Sequence, residues 1–317
     1  MSLDDSAAEE TIAAATTKAH AALQSLSPII SSLPPSLSSD ANPAVALLHD
    51  PDLAAQISAV LLRPDSGVGD DPLCRWLYDT FQSSDPALQL VVLRFLPTVA
   101  ALYLSRVALR NPLAGFEAVL LALYAHETTA RGGRPTTVSI PDLSHPSLYH
   151  ESLTPASAHS TPLNMAVVSP CLEPHGTVRS TRRARIVGVA LELYYSIISQ
   201  MPLGSKMDFC EFCGVWAGQS GEEESAPARG GGRIGLPWEL LQPVLRILGH
   251  CLLGTTDGGG LREAAGAACR RLYARALHDI DAKAILATQS LVRLATMAAE
   301  SDGWDPTEIP KTRVISL

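Results

Sequence analysis

The sequence predicts an all-α protein: a single irregular multi-helix domain with a long proline-rich loop and at most a short β-strand or hairpin. Three observations lead to this prediction. Hydrophobic residues make up 46% of the chain and aromatic residues only 5%, a balance that favours aliphatic cores between packed helices. Helix start signals recur early in the chain, and apolar residues follow them at intervals of three and four residues.

Asparagine or aspartate stands directly before proline at five positions between residues 42 and 112. Each pair predicts a helix N-terminus, because the Asn or Asp side chain accepts a hydrogen bond from a backbone N–H that has no partner within the helix. Proline suits the next position, since it lacks an N–H that would be unpaired there. The pairs are Asn42-Pro43, Asp50-Pro51, Asp71-Pro72, Asp85-Pro86 and Asn111-Pro112.

An apolar stripe of helical spacing runs from Leu88 to Tyr103. Pro97 lies inside it and should kink the helix, because the ring removes a backbone hydrogen bond and crowds the preceding turn. Arg94 and Pro97 also interrupt this most lipid-like stretch of the chain. It is therefore predicted to be a buried core helix, not a membrane span, which needs roughly 18 or more apolar residues. Similar stripes cover residues 12–26, 116–124, 186–201 and 240–251.

Two segments interrupt the helical pattern. Residues 128–176 contain seven prolines and one short strand-like run, Thr136 to Ile140. Residues 218–235, GQSGEEESAPARGGGRIG, are typical of a surface loop. Because the helices on either side have apolar stripes that need burial, we expect one continuous helical domain over residues 1–300 with these two excursions. Residues 301–317 are expected to form a short C-terminal tail.

Composition limits the compartment and the class of partner. The chain has 24 basic and 32 acidic residues, which argues against nucleic acid as a partner because phosphate binding needs a basic surface. Six cysteines at irregular intervals do not form a secreted disulfide framework. The N-terminal MSLDDSAAEE is acidic where a secretory signal is basic and then apolar. We therefore expect a cytosolic protein.

Two short motifs resemble a nucleotide-binding site and a redox or zinc site, but a purely structural role is favoured for each. Gly230, Gly232 and Gly235 fit a GxGxxG pattern, but EEESAPAR precedes them where a nucleotide-binding fold needs a strand. Cys210 and Cys213 have the spacing of a redox pair or half of a zinc site. No second such pair follows, and Phe209 and Phe212 lie beside them, so we predict thiols packed as small apolar groups.

A metal site and an enzymatic site are both disfavoured. The candidate ligands in the first loop excursion have spacings that match no familiar zinc framework. They are His145, His150, His159, Cys171 and His175. The chain also lacks a GxSxG elbow and a P-loop, so no nucleophile and base are assembled by motif. We expect no cofactor, no metal and no catalytic residue.

A basic run, RSTRRAR, lies just before an apolar helix and leaves two interpretations open. Its arginines are Arg179, Arg182, Arg183 and Arg185. They would contact anionic lipid headgroups, at about 1 kcal/mol each near a charged bilayer. Alternatively, they are solvent-exposed residues at the N-terminus of the helix that follows, with no binding role.

The stretch SIPDLSHPSLYHE, residues 139–151, begins as an extended run and breaks at two prolines. Tyr149, His150 and Glu151 have the chemistry for acid–base work, but no nucleophile accompanies them. A structural or binding role is favoured, in which apolar side chains of the segment lie across helix faces. The candidate partner-binding residues are Ile140, Leu143, Leu148 and Tyr149.

Several segments resemble the hyccin family, most of all SIPDLSHPSLYHE itself. The other matching segments are DPLCRWLYDTF at 71–81, LRFLPTVAALYL at 93–104 and GFEAVLLALY at 115–124, followed more weakly by RARIVGVALELYYSIISQMP. The resemblance covers residues 70–215 and extends towards residue 300.

Hyccin-like proteins are non-catalytic subunits of a plasma-membrane phosphatidylinositol 4-kinase complex. The resemblance implies that this chain binds a tetratricopeptide-repeat scaffold that also holds the kinase and a membrane-anchoring subunit. It further implies a location in the cytosol and at the periphery of the plasma membrane. Two alternatives from other classes are a peripheral module that binds anionic lipid through the arginine run, and a hydrolase or metalloenzyme built on the histidine-rich loop.

Overall fold

The computed structural model describes residues 3–34, 37, 40, 42–109, 111–141, 163–174, 177–179, 182–218, 235–254 and 258–300. In this part of the chain α-helices dominate, and the only sheet has two strands. The predicted all-α class with a short hairpin is therefore confirmed. The chain divides into two compact units, Met1–Leu123 with Ser180–Leu317, and Tyr124–Arg179. The prediction of one continuous domain stays a prediction.

The helices before the sheet are α1 (Leu3–Leu26), α2 (Pro43–His49), α3 (Pro51–Leu61), α4 (Pro72–Gln82), α5 (Pro86–Arg94), α6 (Leu96–Ala108) and α7 (Ala114–Arg131). The strands are β1 (Thr136–Pro141) and β2 (Leu163–Ser169). The helices after the sheet are α8 (Arg183–Ser196), α9 (Leu203–Ala217), α10 (Trp238–Leu253), α11 (Gly258–Asp279) and α12 (Ala282–Glu300). Helix α7 crosses from the first unit into the second.

Four of the five predicted helix starts are confirmed, at α2, α3, α4 and α5, and in each the Asn or Asp side chain accepts a backbone N–H. The fullest cap is Asp71, which accepts the N–H groups of Leu73 at 2.7 Å, Cys74 at 3.0 Å and Gly67 at 2.7 Å. Its side chain therefore joins the start of α4 to the preceding loop.

The fifth predicted start, at Asn111-Pro112, is wrong by two residues, because α7 begins at Ala114. Leu113 is buried, and the Gly115 N–H donates to the carbonyl oxygen of Gly67 at 3.0 Å. A tertiary contact to a distant loop therefore shapes this helix start, and local cap chemistry does not reveal it.

The apolar stripe from Leu88 to Tyr103 forms two helices, α5 and α6, which meet at Phe95 with a bend of 45°. Pro97 lies in the first turn of α6, so the predicted kink is confirmed as a break between helices. No single helix in the described residues is long and apolar enough to cross a membrane, although α5 and α6 together meet that test. Most side chains of the pair are buried.

The core of the first unit centres on α9, which packs against α6 and α11, while α8 packs against α10. Aromatic rings line its inner face: the ring centroids of Phe209 lie 6.2 Å from Tyr194 and 5.7 Å from Phe212, and Phe212 lies 5.8 Å from Trp216. The Ser205 hydroxyl donates to the carbonyl oxygen of Arg94 at 2.7 Å. This bond connects α9 to the break between α5 and α6.

The second unit contains the sheet, in which β1 and β2 run antiparallel. Pairing proceeds from Pro141 opposite Leu163 to Thr137 opposite Val167, and a register shift between Thr136 and Thr137 places Ser169 opposite Thr136. The predicted strand-like run is confirmed as β1. Strand β2 was missed as a strand in its own right, because LNMAVVS has no strict alternation of polar and apolar residues.

Candidate partner-binding surface

The hairpin formed by β1 and β2 is fixed at its base to the last turns of α7. The Arg131 guanidinium donates to the buried Ser169 hydroxyl at 2.8 Å and forms an ion pair with Glu127 at 2.7 Å. The Tyr124 hydroxyl donates to the carbonyl oxygen of Glu173 at 3.2 Å. Helix α7 therefore supports the open end of the hairpin, where β1 begins and β2 ends.

One face of the hairpin exposes a stripe of large apolar side chains on β2. Leu163 is 64% exposed, Met165 is 76% exposed and Val167 is 61% exposed. These residues alternate along the strand, and because successive side chains of a strand point to opposite faces, all three point the same way. The residues of β1 that stand opposite them are Pro141, Ser139 and Thr137, respectively.

The other face is also apolar and also exposed. Val138 is 41% exposed and Ile140 is 46% exposed, and they stand opposite Ala166 and Asn164 on β2. Neither strand, TTVSIP or LNMAVVS, contains an ionisable side chain. The hairpin is therefore an uncharged apolar ribbon, with large exposed side chains on both faces.

The structure describes one of the four predicted partner-binding residues, Ile140, and places it on this exposed ribbon. Leu143, Leu148 and Tyr149 lie outside the described residues, as do His150 and Glu151. Sequence reasoning missed the stripe of Leu163, Met165 and Val167. Its signal was three apolar residues at a spacing of two, the spacing expected for one face of a strand.

The four arginines of the basic run have different environments. Arg179 and Arg182 are exposed, whereas Arg185 is buried in α8. A guanidinium nitrogen of Arg183 lies 4.0 Å from a carboxylate oxygen of Glu117. The predicted lipid contact stays a prediction, and burial leaves Arg185 a poor candidate for it.

The Cys210 and Cys213 pair faces the core, together with Cys251 and Cys269. The pKa of Cys210 is raised by a hydrogen bond with Cys251 and by burial. Burial also raises the pKa of Cys213, and it raises that of Cys269 to about 12. Because the thiolate is the reactive form, the raised pKa keeps the thiols of Cys210, Cys213 and Cys269 protonated and unreactive. The prediction that the pair packs as small apolar groups is confirmed.

Among the described residues, no three His, Cys, Asp or Glu side chains are placed to hold a metal ion. Of the predicted loop ligands only Cys171 is described, and it is exposed. The histidines at 145, 150, 159 and 175 lie outside the described residues, and so do Gly230 and Gly232. Gly235 lies just before α10, in a segment without regular secondary structure.

Among the described residues, these features define a mostly helical protein with an exposed two-stranded hairpin that has no charged side chain on its strands. The family model described as Hyccin matches residues 38–313, most of the chain. The chain therefore belongs to the hyccin family, and the resemblance read from its sequence segments is confirmed.

Proposed function

We propose that this protein is a non-catalytic adaptor subunit that binds a tetratricopeptide-repeat scaffold. Through that contact it stabilises a phosphatidylinositol 4-kinase complex at the plasma membrane and supports synthesis of phosphatidylinositol 4-phosphate. Membership of the hyccin family supplies the biological context. The observation that carries the proposal is the exposed, uncharged apolar hairpin of β1 and β2.

Burial of this hairpin in an interface would contribute substantial binding free energy. Fully burying one Leu, Met or Val side chain contributes about 1.5–3 kcal/mol, and Leu163, Met165 and Val167 are all more than half exposed. Interfaces draw most of their affinity from a few such buried anchors. A partner that covers the hairpin therefore gains affinity without any charged contact on the strands.

An adaptor of this kind acts by mass action and not by chemistry. A subunit that binds the folded scaffold stabilises the assembled state by mass action, by a free energy that grows with the logarithm of its concentration relative to its Kd. The scaffold, the kinase and a membrane-anchoring subunit are the proposed partners, and the protein would reach the plasma membrane from the cytosol as part of this assembly. The resolved pKa shifts of its thiols and phenols are all upward, the opposite of an activated nucleophile.

The test is co-expression with the tetratricopeptide-repeat scaffold from the same organism, followed by size-exclusion chromatography. We expect the two proteins to elute together, and we expect addition of this chain to increase the amount of intact kinase complex while the turnover of each assembled kinase is unchanged. If both proteins are folded and elute apart even with the kinase present, the adaptor function is wrong.

A peripheral lipid-binding module is the second candidate, because Arg179 and Arg182 are exposed. Two arginines near an anionic bilayer contribute about 1 kcal/mol each. If this function is correct, the double variant Arg179→Glu/Arg182→Glu should lose sedimentation with phosphatidylserine vesicles and keep binding to the scaffold. Arg183 and Arg185 are left unchanged in this variant, because an ion pair and burial involve them in the fold.

A further inference from the structure

We draw no further inference here: the strongest candidate, the exposed apolar side chains of Leu203, Met207 and Val215 along α9, is an apolar helix face, and nothing in the described part of the chain shows what covers it.

Discussion

Ile280 occupies a backbone conformation that rarely suits an isoleucine. Its φ is 54° and it is 84% exposed, between α11 and α12. The Asp281 N–H donates to the carbonyl oxygen of Ala276 and the Ile280 N–H donates to that of Leu277, each at 3.2 Å. These two bonds form a Schellman cap, in which glycine is usual at the left-handed position. A β-branched residue there is strained.

Replacing Ile280 by glycine should therefore stabilise the protein. We expect the free energy of unfolding to rise by about 0.5–1 kcal/mol, because the strain is relieved and little buried apolar surface is lost, although glycine also loosens the unfolded chain. Urea denaturation measures the difference. Ile280→Val keeps the branched side chain and should give no gain; an equal gain from both variants would show that strain is not the cause.

Gly188 marks a close approach between α8 and α10. A Cβ atom built at this position would lie 2.6 Å from the backbone carbonyl oxygen of Glu239, and backbone cannot move aside as a side chain does. Gly188→Ala should therefore destabilise the protein by about 1–3 kcal/mol, the usual cost of overpacking. Thermal unfolding of the variant measures this loss.

Gly204→Ala is the matched control for that substitution. Gly204 also lies in a helix, α9, but no atom approaches within 4 Å of its added Cβ. Alanine should be neutral or stabilising there, because it has the higher helix propensity. If Gly188→Ala were tolerated as well as Gly204→Ala, the contact between Gly188 and Glu239 would not set the distance between α8 and α10.

At the scale of the elements, α6 and α7 are joined by a partly buried hydrogen bond. The Tyr103 hydroxyl donates to a carboxylate oxygen of Glu117 at 3.1 Å. Burial, together with the negative charge and hydrogen bond of Glu117, raises the pKa of Tyr103 to about 12. Its protonated form is therefore favoured in the folded protein.

This bond makes the contribution of Tyr103 dependent on pH. Tyr103→Phe should cost about 1 kcal/mol at neutral pH. Since the folded pKa of about 12 exceeds the unfolded value of about 10, the contribution is complete below pH 10 and is lost as the pH rises to about 12. Denaturation at several alkaline pH values should show the gap between wild type and variant closing. Tyr78→Phe, at an exposed side chain, should leave stability unchanged at neutral pH.

Element boundaries show how far local signals reach. Asn or Asp before proline located four helix starts correctly, because capping acts within three residues of the chain. The same signal failed at Asn111-Pro112, where the Gly115 N–H instead donates to the carbonyl oxygen of Gly67. Pro97 correctly predicted a bend, since a proline in a helix removes its own hydrogen bond. Strand β2 was missed because LNMAVVS does not alternate strictly between polar and apolar residues.

At the scale of the whole molecule, the two units should differ in local stability. Ile186 to Leu191 in α8 are all buried, whereas the strands of the hairpin are largely exposed. In the free protein, hydrogen exchange should therefore be faster for the amides of β1 and β2 than for those of α8. Mass-spectrometric exchange measures both segments in one sample.

Addition of the scaffold should slow exchange in the hairpin and leave α8 unchanged. This outcome follows if the scaffold covers β1 and β2, because amide N–H groups that are kept from water exchange more slowly. Hairpin amides that exchange as slowly as those of α8 in the free protein would contradict the difference in stability. If the scaffold slowed amide exchange in α8 alone, the scaffold would bind at a surface other than the hairpin.

The sequence by itself determined the helical class, most of the helix starts, strand β1 and membership of the hyccin family. Each of these depends on residues close together in the chain or on segments that can be matched directly. Only the tertiary structure decided that Arg185 is buried while Arg182 is exposed, and that Leu163 and Met165 form an exposed stripe. Burial depends on which distant segments pack over a residue, and local patterns of polarity do not contain that information.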